Sequence, residues 1–231
     1  MKIETNYIVK KSFFTIIILL MITFLVGETR VIAAISSMKG NVQIRSAGVR
    51  KYEPAYKGQM IKTGDWLKTD LNVFAAIIFL DGSNIKIREE TEVKITSYRM
   101  TAKELKTKLE IAQGQAYSDI ASQGKGEFKI KTPTAVASVK GTEFDIDYDE
   151  DEESTSLIVV SGLVSFATEL DSILAGAMTS SSAKFNEKPE EPKAISQNDL
   201  PDWQVKDVDA TYQFALKPDK TGKQPINKAI R

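Results

Sequence analysis

The chain has 231 residues, with 31 basic and 31 acidic side chains, and it contains neither Cys nor His. This length fits one large domain or two small ones. Without Cys the chain has no disulfide, no thiol nucleophile and no lipid-modified N-terminal Cys, and without His it lacks the commonest general base and zinc ligand. The even charge balance predicts no nucleic-acid partner and no basic footprint for an anionic membrane surface.

The N-terminus has the pattern of an export signal. Lys10 and Lys11 precede an unbroken run of 14 mostly apolar residues, 13–26. As a helix this run spans about 21 Å, which is shorter than the roughly 30 Å hydrocarbon core of a bilayer. Residues 1–27 are therefore predicted to be a cleaved signal peptide, with an uncleaved membrane anchor as the alternative. Either form predicts an exported domain, periplasmic or held in the periplasm by an inner-membrane anchor.

Short apolar segments separated by turns follow from residue 31 onward. Residues 73–80 are continuously apolar, which predicts a strand covered on both faces. Asp81 and Gly82 come next and predict a tight type I′ hairpin, with Ser83 opening the following strand. About ten such strands predict an all-β fold, a single β-sandwich or jelly-roll-like domain over residues 31–185.

One segment of this region also has helical propensity. Residues 102–110 are rich in Ala, Glu, Leu and Lys, which favour helix. Leu105, Leu109 and Ile111 nevertheless alternate with polar residues, and Gly114 follows soon after. We therefore predict a strand here.

Residues 128–148 form the centre of the predicted domain. The first five residues alternate between apolar and polar, and Pro133 ends that strand because its ring removes a backbone donor. A second alternating strand begins at Phe144. Small residues connect the two strands, and Gly141 is predicted to hold a positive φ or to allow the close approach of another strand.

The C-terminal part differs in composition. Five of the seven prolines lie within residues 186–231, which predicts a Pro-rich linker or tail that is partly disordered. Within it, residues 200–216 carry Trp203 and Tyr212. This segment is predicted either to pack back on the β-domain or to dock on a partner.

Acidic residues are concentrated just after Phe144. Seven of the nine residues in 145–153 are acidic, and Asp145, Asp147 and Asp149 alternate with apolar residues. This alternation predicts a row of carboxylates on the solvent face of a strand, in a solvated acidic hairpin. The same spacing makes these three residues a weak candidate calcium site. No other metal and no cofactor is predicted.

The central sequence TPTAVASVKGTEF, residues 132–144, resembles the signature of the FecR domain, which occurs in bacterial envelope proteins that relay signals from the periplasm. Further segments appear in the order that this family shows, and the resemblance covers roughly residues 32–185. The residues that carry it are Gly64, Asp65, Asp81, Gly82, Ser83, Thr132, Pro133, Ala135, Val139, Lys140, Gly141, Thr142, Glu143, Phe144 and Gly162.

The resemblance implies a function in binding rather than catalysis. It predicts a non-enzymatic periplasmic sensor or adaptor that binds an envelope protein in signalling. Ferric-citrate-type regulators carry a cytoplasmic anti-sigma segment before the membrane span, and only a short segment precedes the apolar run here, so a stand-alone relative is expected. The alternative is a surface carbohydrate- or cell-wall-binding sandwich with Trp66, Trp203 or Tyr212 as stacking platforms. An enzyme is not expected, because no nucleophile, base and orienting group occur together.

Overall fold

The computed structural model of the protein describes residues 30–101 and 104–203. This part contains 17 β-strands and one short 3-10 helix, so the predicted all-β fold is confirmed. None of its helices is long and apolar enough to cross a membrane. The predicted leader, residues 1–27, lies outside the described residues, as does Tyr212.

The elements follow each other closely along the chain. In order they are β1 (Val31–Lys39), β2 (Val42–Arg45), β3 (Glu53–Pro54), β4 (Met60–Lys62), β5 (Asp65–Thr69), β6 (Phe74–Phe79), β7 (Asn84–Ile87), β8 (Glu92–Thr101), β9 (Glu104–Asp119), β10 (Glu127–Lys131), β11 (Val136–Val139), β12 (Glu143–Asp149), β13 (Ser154–Ser161), β14 (Leu163–Ala167), β15 (Ser172–Gly176), β16 (Thr179–Lys184), β17 (Lys193–Ala194) and the 3-10 helix Gln197–Asp199.

The strands form two layers that share β9. Layer 1 has the order β4-β1-β6-β7-β9-β12-β13-β16-β17, and layer 2 has the order β3-β2-β5-β8-β9-β10-β11-β14-β15. The first part of β9 pairs with β8 and β10, and its last part pairs with β7 and β12. All described pairings are antiparallel except that between β9 and β10. The strand predicted in place of a helix is thus confirmed by β9 over residues 104–110, while residues 102 and 103 lie outside the described residues.

The two layers pack face to face through the apolar side chains that alternate along each strand. The ring of Phe79 in layer 1 meets the ring of Phe128 in layer 2 edge-on, with centroids 5.6 Å apart. Both are among the buried residues of one continuous core. On the outer side of β6, Ile78 packs with Ala34 in a second, smaller cluster. The continuously apolar run is therefore covered on both faces, as predicted.

The turn between β6 and β7 differs from the predicted type I′ hairpin. Four residues connect the strands instead of two, and Gly82 has φ +90° while Asp81 is not among the residues with positive φ. The Gly82 N–H donates to the Phe79 carbonyl oxygen at 3.0 Å. The Asp81 carboxylate accepts the Ser83 N–H at 2.9 Å. The longer loop needs only one residue with positive φ, so the type I′ prediction is wrong.

Candidate functional site

Two crossings of the chain between the layers lie side by side and are built from motif residues. Gly141 and Thr142 lie between β11 in layer 2 and β12 in layer 1, and Gly162 lies between β13 in layer 1 and β14 in layer 2. Gly162 has φ +88°, and a Cβ there would lie 2.9 Å from the Gly141 oxygen. The Thr142 hydroxyl donates to the Leu163 carbonyl oxygen at 3.0 Å. These glycines therefore allow the two crossings to touch.

Gly141 has the constrained backbone that the sequence predicts. Its φ is +142°, and a Cβ added there would lie 3.3 Å from the Cα of Ser122. Its neighbours Val139 and Phe144 are buried in the core, whereas Lys140 is exposed. The passage between β11 and β12 is thus held by packing on both sides of the glycine.

The connection around Pro133 contains a buried network of hydroxyl groups. β10 ends at Lys131, two residues before Pro133, as predicted. The Thr132 and Thr134 hydroxyls each form a 2.6 Å hydrogen bond with the Thr155 hydroxyl. The Ala135 N–H donates to the Thr132 hydroxyl oxygen at 3.0 Å. The hydroxyl groups of these buried threonines therefore satisfy each other's hydrogen-bonding capacity without water.

Two motif carboxylates, Asp65 and Asp81, form hydrogen bonds that connect loops. Asp65 is buried, and its two oxygens accept the backbone N–H groups of Lys62 and Ala47 at 2.8 and 3.2 Å. The second oxygen of Asp81 accepts the Gln123 side-chain amide at 2.9 Å. The motif residues are therefore spread over the corners of the fold and do not converge on one cleft.

A different cluster lies on the outer face of layer 1. We call it the Trp203 site, formed by Lys86, Arg88, Gln115, Tyr117, Asp145 and Trp203. The strands position it because β7, β9 and β12 are neighbours, with Tyr117 opposite both Lys86 and Asp145. These side chains point outward because they alternate with buried residues along their strands.

Trp203 lies on this face with several specific contacts. Its indole Nε1–H donates to Oδ2 of Asp145 at 2.6 Å. Its ring lies 5.5 Å from the Tyr117 ring, and the Arg88 guanidinium lies 4.5 Å from the indole centroid. The Arg88 side chain also donates to the Asp202 carbonyl oxygen at 2.5 Å, and Lys86 Nζ donates to the Trp203 carbonyl oxygen at 3.4 Å. The site thus holds both the side chain and the backbone of an extended segment.

Asp145 does not lie on a solvent face, so this part of the sequence prediction is wrong. It is 3% exposed, and its Oδ1 accepts the Gln115 side-chain amide at 2.8 Å. Burial raises the pKa of Asp145 to about 6, although the hydrogen bonds from Gln115 and Trp203 act in the opposite direction. The physical reason is that residues 200–203 cover the outer face of β12, which strand periodicity cannot show.

The other two members of the predicted acidic row have different surroundings. Asp147 is half-buried, and burial raises its pKa. Asp149 is exposed and accepts the backbone N–H groups of Asp151 and Glu152 at 2.9 and 3.0 Å. Within the described ranges, no group of three or more acidic side chains is arranged to hold a metal ion.

Tyr117 links the site to the motif. Its hydroxyl donates to the carboxylate of Glu143, and burial raises the pKa of Tyr117 above its usual range.

Beside the Trp203 site an open cleft of about 350 Å³ is lined by residues that include Lys39, Arg88 and Trp203. An aromatic side chain and a peptide backbone can therefore bind here next to an open recess.

Trp66, another of the three predicted stacking residues, lies half-buried on layer 2. The Arg45 guanidinium is 4.7 Å from its ring centroid, and Lys94 Nζ is 5.8 Å from it. The Arg45 group also lies 5.0 Å from the Tyr52 ring. Cationic side chains of the chain itself thus contact this indole.

Sequence reasoning singled out Trp203 and Asp145 but missed the other four members of the site, Lys86, Arg88, Gln115 and Tyr117. Their only signal is an outward position on a strand, which many surface residues share. The strand pairing that brings them together depends on contacts between residues distant in sequence.

Comparisons with known proteins find one family and two solved structures to which parts of this chain are similar. Residues 65–165 match the family described as FecR protein. Two crystal structures of a candidate anti-sigma factor from Parabacteroides distasonis ATCC 8503 each have a TM-score of 0.49 and 14% sequence identity to this chain. The alignments cover 57% of this chain and 60% of the solved chains. No curated protein matches the chain.

Proposed function

We propose that this chain, whose residues 65–165 match the family described as FecR protein, is a non-enzymatic, exported signalling regulator that works by binding an envelope protein. The basic residues and apolar run at the N-terminus support export. The protein-binding function rests on the Trp203 site.

The single observation that carries this proposal is that layer 1 already holds an extended peptide segment, residues 200–203. Arg88 and Lys86 donate to carbonyl oxygens of this segment, and such bonds form with a peptide of any sequence. The indole fills a place between Tyr117 and Arg88 and donates to Asp145. Backbone hydrogen bonds together with one aromatic anchor are a common basis of peptide recognition.

The segment that occupies the Trp203 site, residues 200–203, belongs to the chain itself. The site is therefore suitable for regulation. A tethered segment competes with a partner through its high effective concentration. A partner segment that carries an aromatic residue and binds more tightly would displace residues 200–203. The site would then report partner binding by releasing the C-terminal part of the chain.

Photo-cross-linking in cells tests this proposal. Benzoylphenylalanine is placed at Asp147, which is half-buried on β12 next to the site, and as a matched control at the exposed Lys184 on β16. We expect a discrete adduct with an envelope protein from position 147 only, and we expect Trp203→Ala to change its yield. Identical adducts at both positions, or a chain found only in the cytoplasm, would contradict the proposal.

The carbohydrate-binding alternative is not favoured by a specific contact. The ring of Trp203 lies against Tyr117 and Arg88, and the ring of Trp66 lies against Arg45. A sugar would have to displace these groups before it could stack.

A further inference from the structure

The outer face of layer 2 carries a surplus of positive charge that the zero net charge of the sequence conceals. Outward-facing positions on its central strands are repeatedly Lys, because Lys94 alternates with buried residues on β8 and Lys108 does so on β9. Lys108 lies directly opposite Lys129 of β10 in the sheet. Neighbouring strands thus bring the lysines of distant segments into one surface.

We call this surface the basic face. Its cations on β2, β5, β8, β9 and β10 are Arg45, Lys68, Lys94, Lys106, Lys108, Lys129 and Lys131, and the acidic side chains described on the same strands of this face are Glu92, Glu110 and Glu127. Seven cations thus face three acids.

The acids of the basic face are each engaged by a cation. Lys108 pairs with Glu110 at 2.8 Å, and Lys129 pairs with Glu127 at 3.1 Å. Glu92 lies 4.0 Å from Arg45 and also accepts the Tyr52 hydroxyl at 2.6 Å. Four positive charges therefore remain in excess on the basic face among the described side chains.

Exposed apolar side chains flank these charges. Tyr98, which is 53% exposed, lies opposite Lys106. Leu174, 65% exposed, and Leu163, 53% exposed, project on β15 and β14 at the other end of the same face. Tyr is suited to the headgroup level of a bilayer, and an exposed Leu gains free energy when it enters the acyl boundary.

We propose that the basic face docks on an anionic lipid surface, with the lysines at the headgroups and Tyr98, Leu163 and Leu174 at the rim of the contact. Charge complementarity and the flanking apolar groups argue for lipid over a soluble anion, to which exposed leucines contribute nothing. On the opposite face, around the Trp203 site, the acidic side chains outnumber the cations Lys86 and Arg88; they are Asp119, Glu143, Asp145 and Asp147. That face has no cationic surplus, so the protein binds in one orientation, with the Trp203 site directed away from the lipid.

This inference goes beyond the proposed function and does not depend on it. It also departs from the expectation that the chain meets a membrane only through its N-terminal segment. Net charge alone cannot show the basic face, because the acidic residues that balance it lie elsewhere, many of them in residues 145–153.

Vesicle binding by the full chain tests the proposal. Partition is measured into vesicles of phosphatidylglycerol and phosphatidylcholine, and into phosphatidylcholine alone. We expect strong binding to the anionic vesicles that falls steeply as the ionic strength is raised to 0.5 M. One basic residue near an anionic surface strengthens partition about fivefold, so the triple variant Lys68→Glu, Lys106→Glu and Lys131→Glu should bind at least about 100-fold more weakly.

The control variant combines Lys39→Glu, Lys62→Glu and Lys184→Glu. Its net charge changes by the same amount, but the three positions lie on strands of layer 1. It should keep at least about a third of the wild-type partition. Any contribution of the leader is common to all three proteins. Equal weakening of both triple variants, equal binding to neutral vesicles, or binding of soluble polyphosphate without binding of vesicles would each overturn the proposal.

The flanking apolar groups give a second readout. Leu163→Ser with Leu174→Ser should weaken binding to anionic vesicles several-fold at 0.5 M salt, where the electrostatic part is screened. Unchanged partition in this variant would show that lipid insertion does not occur and would overturn the lipid assignment.

Discussion

The indole of Trp203 donates a 2.6 Å hydrogen bond to the carboxylate of Asp145, a residue 58 positions earlier in the chain. This bond joins the C-terminal segment to strand β12 of layer 1. It satisfies a carboxylate that is almost completely buried. Removal of either partner therefore affects both the stability of the domain and the position of the segment.

Trp203→Phe keeps an aromatic ring against Tyr117 but removes the donor to Asp145. Because a buried acceptor then loses one of its partners, we expect a loss of about 1–3 kcal/mol in the free energy of unfolding. Urea denaturation measures it. Trp66→Phe is the control and should change the stability by less than about 1 kcal/mol. Equal effects of the two variants would show that the indole bond contributes nothing specific.

Asp145→Asn should change how stability depends on pH. The folded pKa of Asp145, about 6, lies above its ordinary value of 3.8, so the wild type binds an extra proton when folded. Relative to the Asn variant, the wild type should lose stability as the pH rises from about 4 to about 7, by roughly 3 kcal/mol in total.

Denaturant titrations at several pH values give this difference. Asp151→Asn, at an exposed position of the same acidic stretch, is the charge-matched control. A difference between wild type and Asp145→Asn that stays constant across this range would refute the raised pKa.

Gly141→Val and Gly162→Ala should each destabilise the domain by at least about 1–3 kcal/mol. At both positions φ is positive, and a new Cβ would meet backbone or side-chain atoms at 2.9–3.3 Å. Gly176→Ala is the matched control, since nothing lies within 4 Å of its added Cβ. Thermal melting of the three variants measures the effect. A wild-type melting temperature for Gly162→Ala would mean that the two crossings can separate without cost.

Thr155→Val should lower the stability by about 1–3 kcal/mol, because it leaves the buried hydroxyls of Thr132 and Thr134 without their shared partner. Thr155→Ser retains the hydroxyl and should recover most of that loss. The comparison is made by urea denaturation. If Ser is as destabilising as Val although it retains the hydroxyl, the loss of stability does not come from the hydroxyl network.

Millimolar calcium should leave the melting temperature unchanged. Both oxygens of Asp145 are engaged by Gln115 and Trp203, and Asp149 binds backbone N–H groups. A calcium-dependent rise in melting temperature that disappears in Asp147→Asn with Asp149→Asn would instead establish the weak site that the sequence suggests.

The sequence was sufficient for features determined by local rules. Alternation predicted the strands on either side of Pro133, and the position of Gly141 predicted its unusual backbone, because both depend on steric properties of nearby residues. The burial of Asp145 was not predictable in this way. Alternation assigns a side chain to one face of a strand, but the cover that residues 200–203 provide is a contact between distant segments.

Charge patterning shows the same limit. The equal totals of 31 basic and 31 acidic residues do not show how the charges are distributed over the surface of the fold. Lys108 and Lys129 become neighbours only through the parallel pairing of β9 with β10. Long-range pairing of this kind is fixed by the whole fold and has no signature in either segment alone.

Strand β9 belongs to both layers, and this has a consequence for how the domain opens. Amide protons in β9 are shielded by neighbouring strands along both of its parts. If either layer unfolded by itself, the hydrogen bonds between β9 and the strands of that layer would break, although β9 also pairs with strands of the other layer. Hydrogen exchange in β9 should therefore proceed only through global unfolding, at the slowest rate in the domain, while the amides of Leu200, Asp202 and Trp203 exchange through local release.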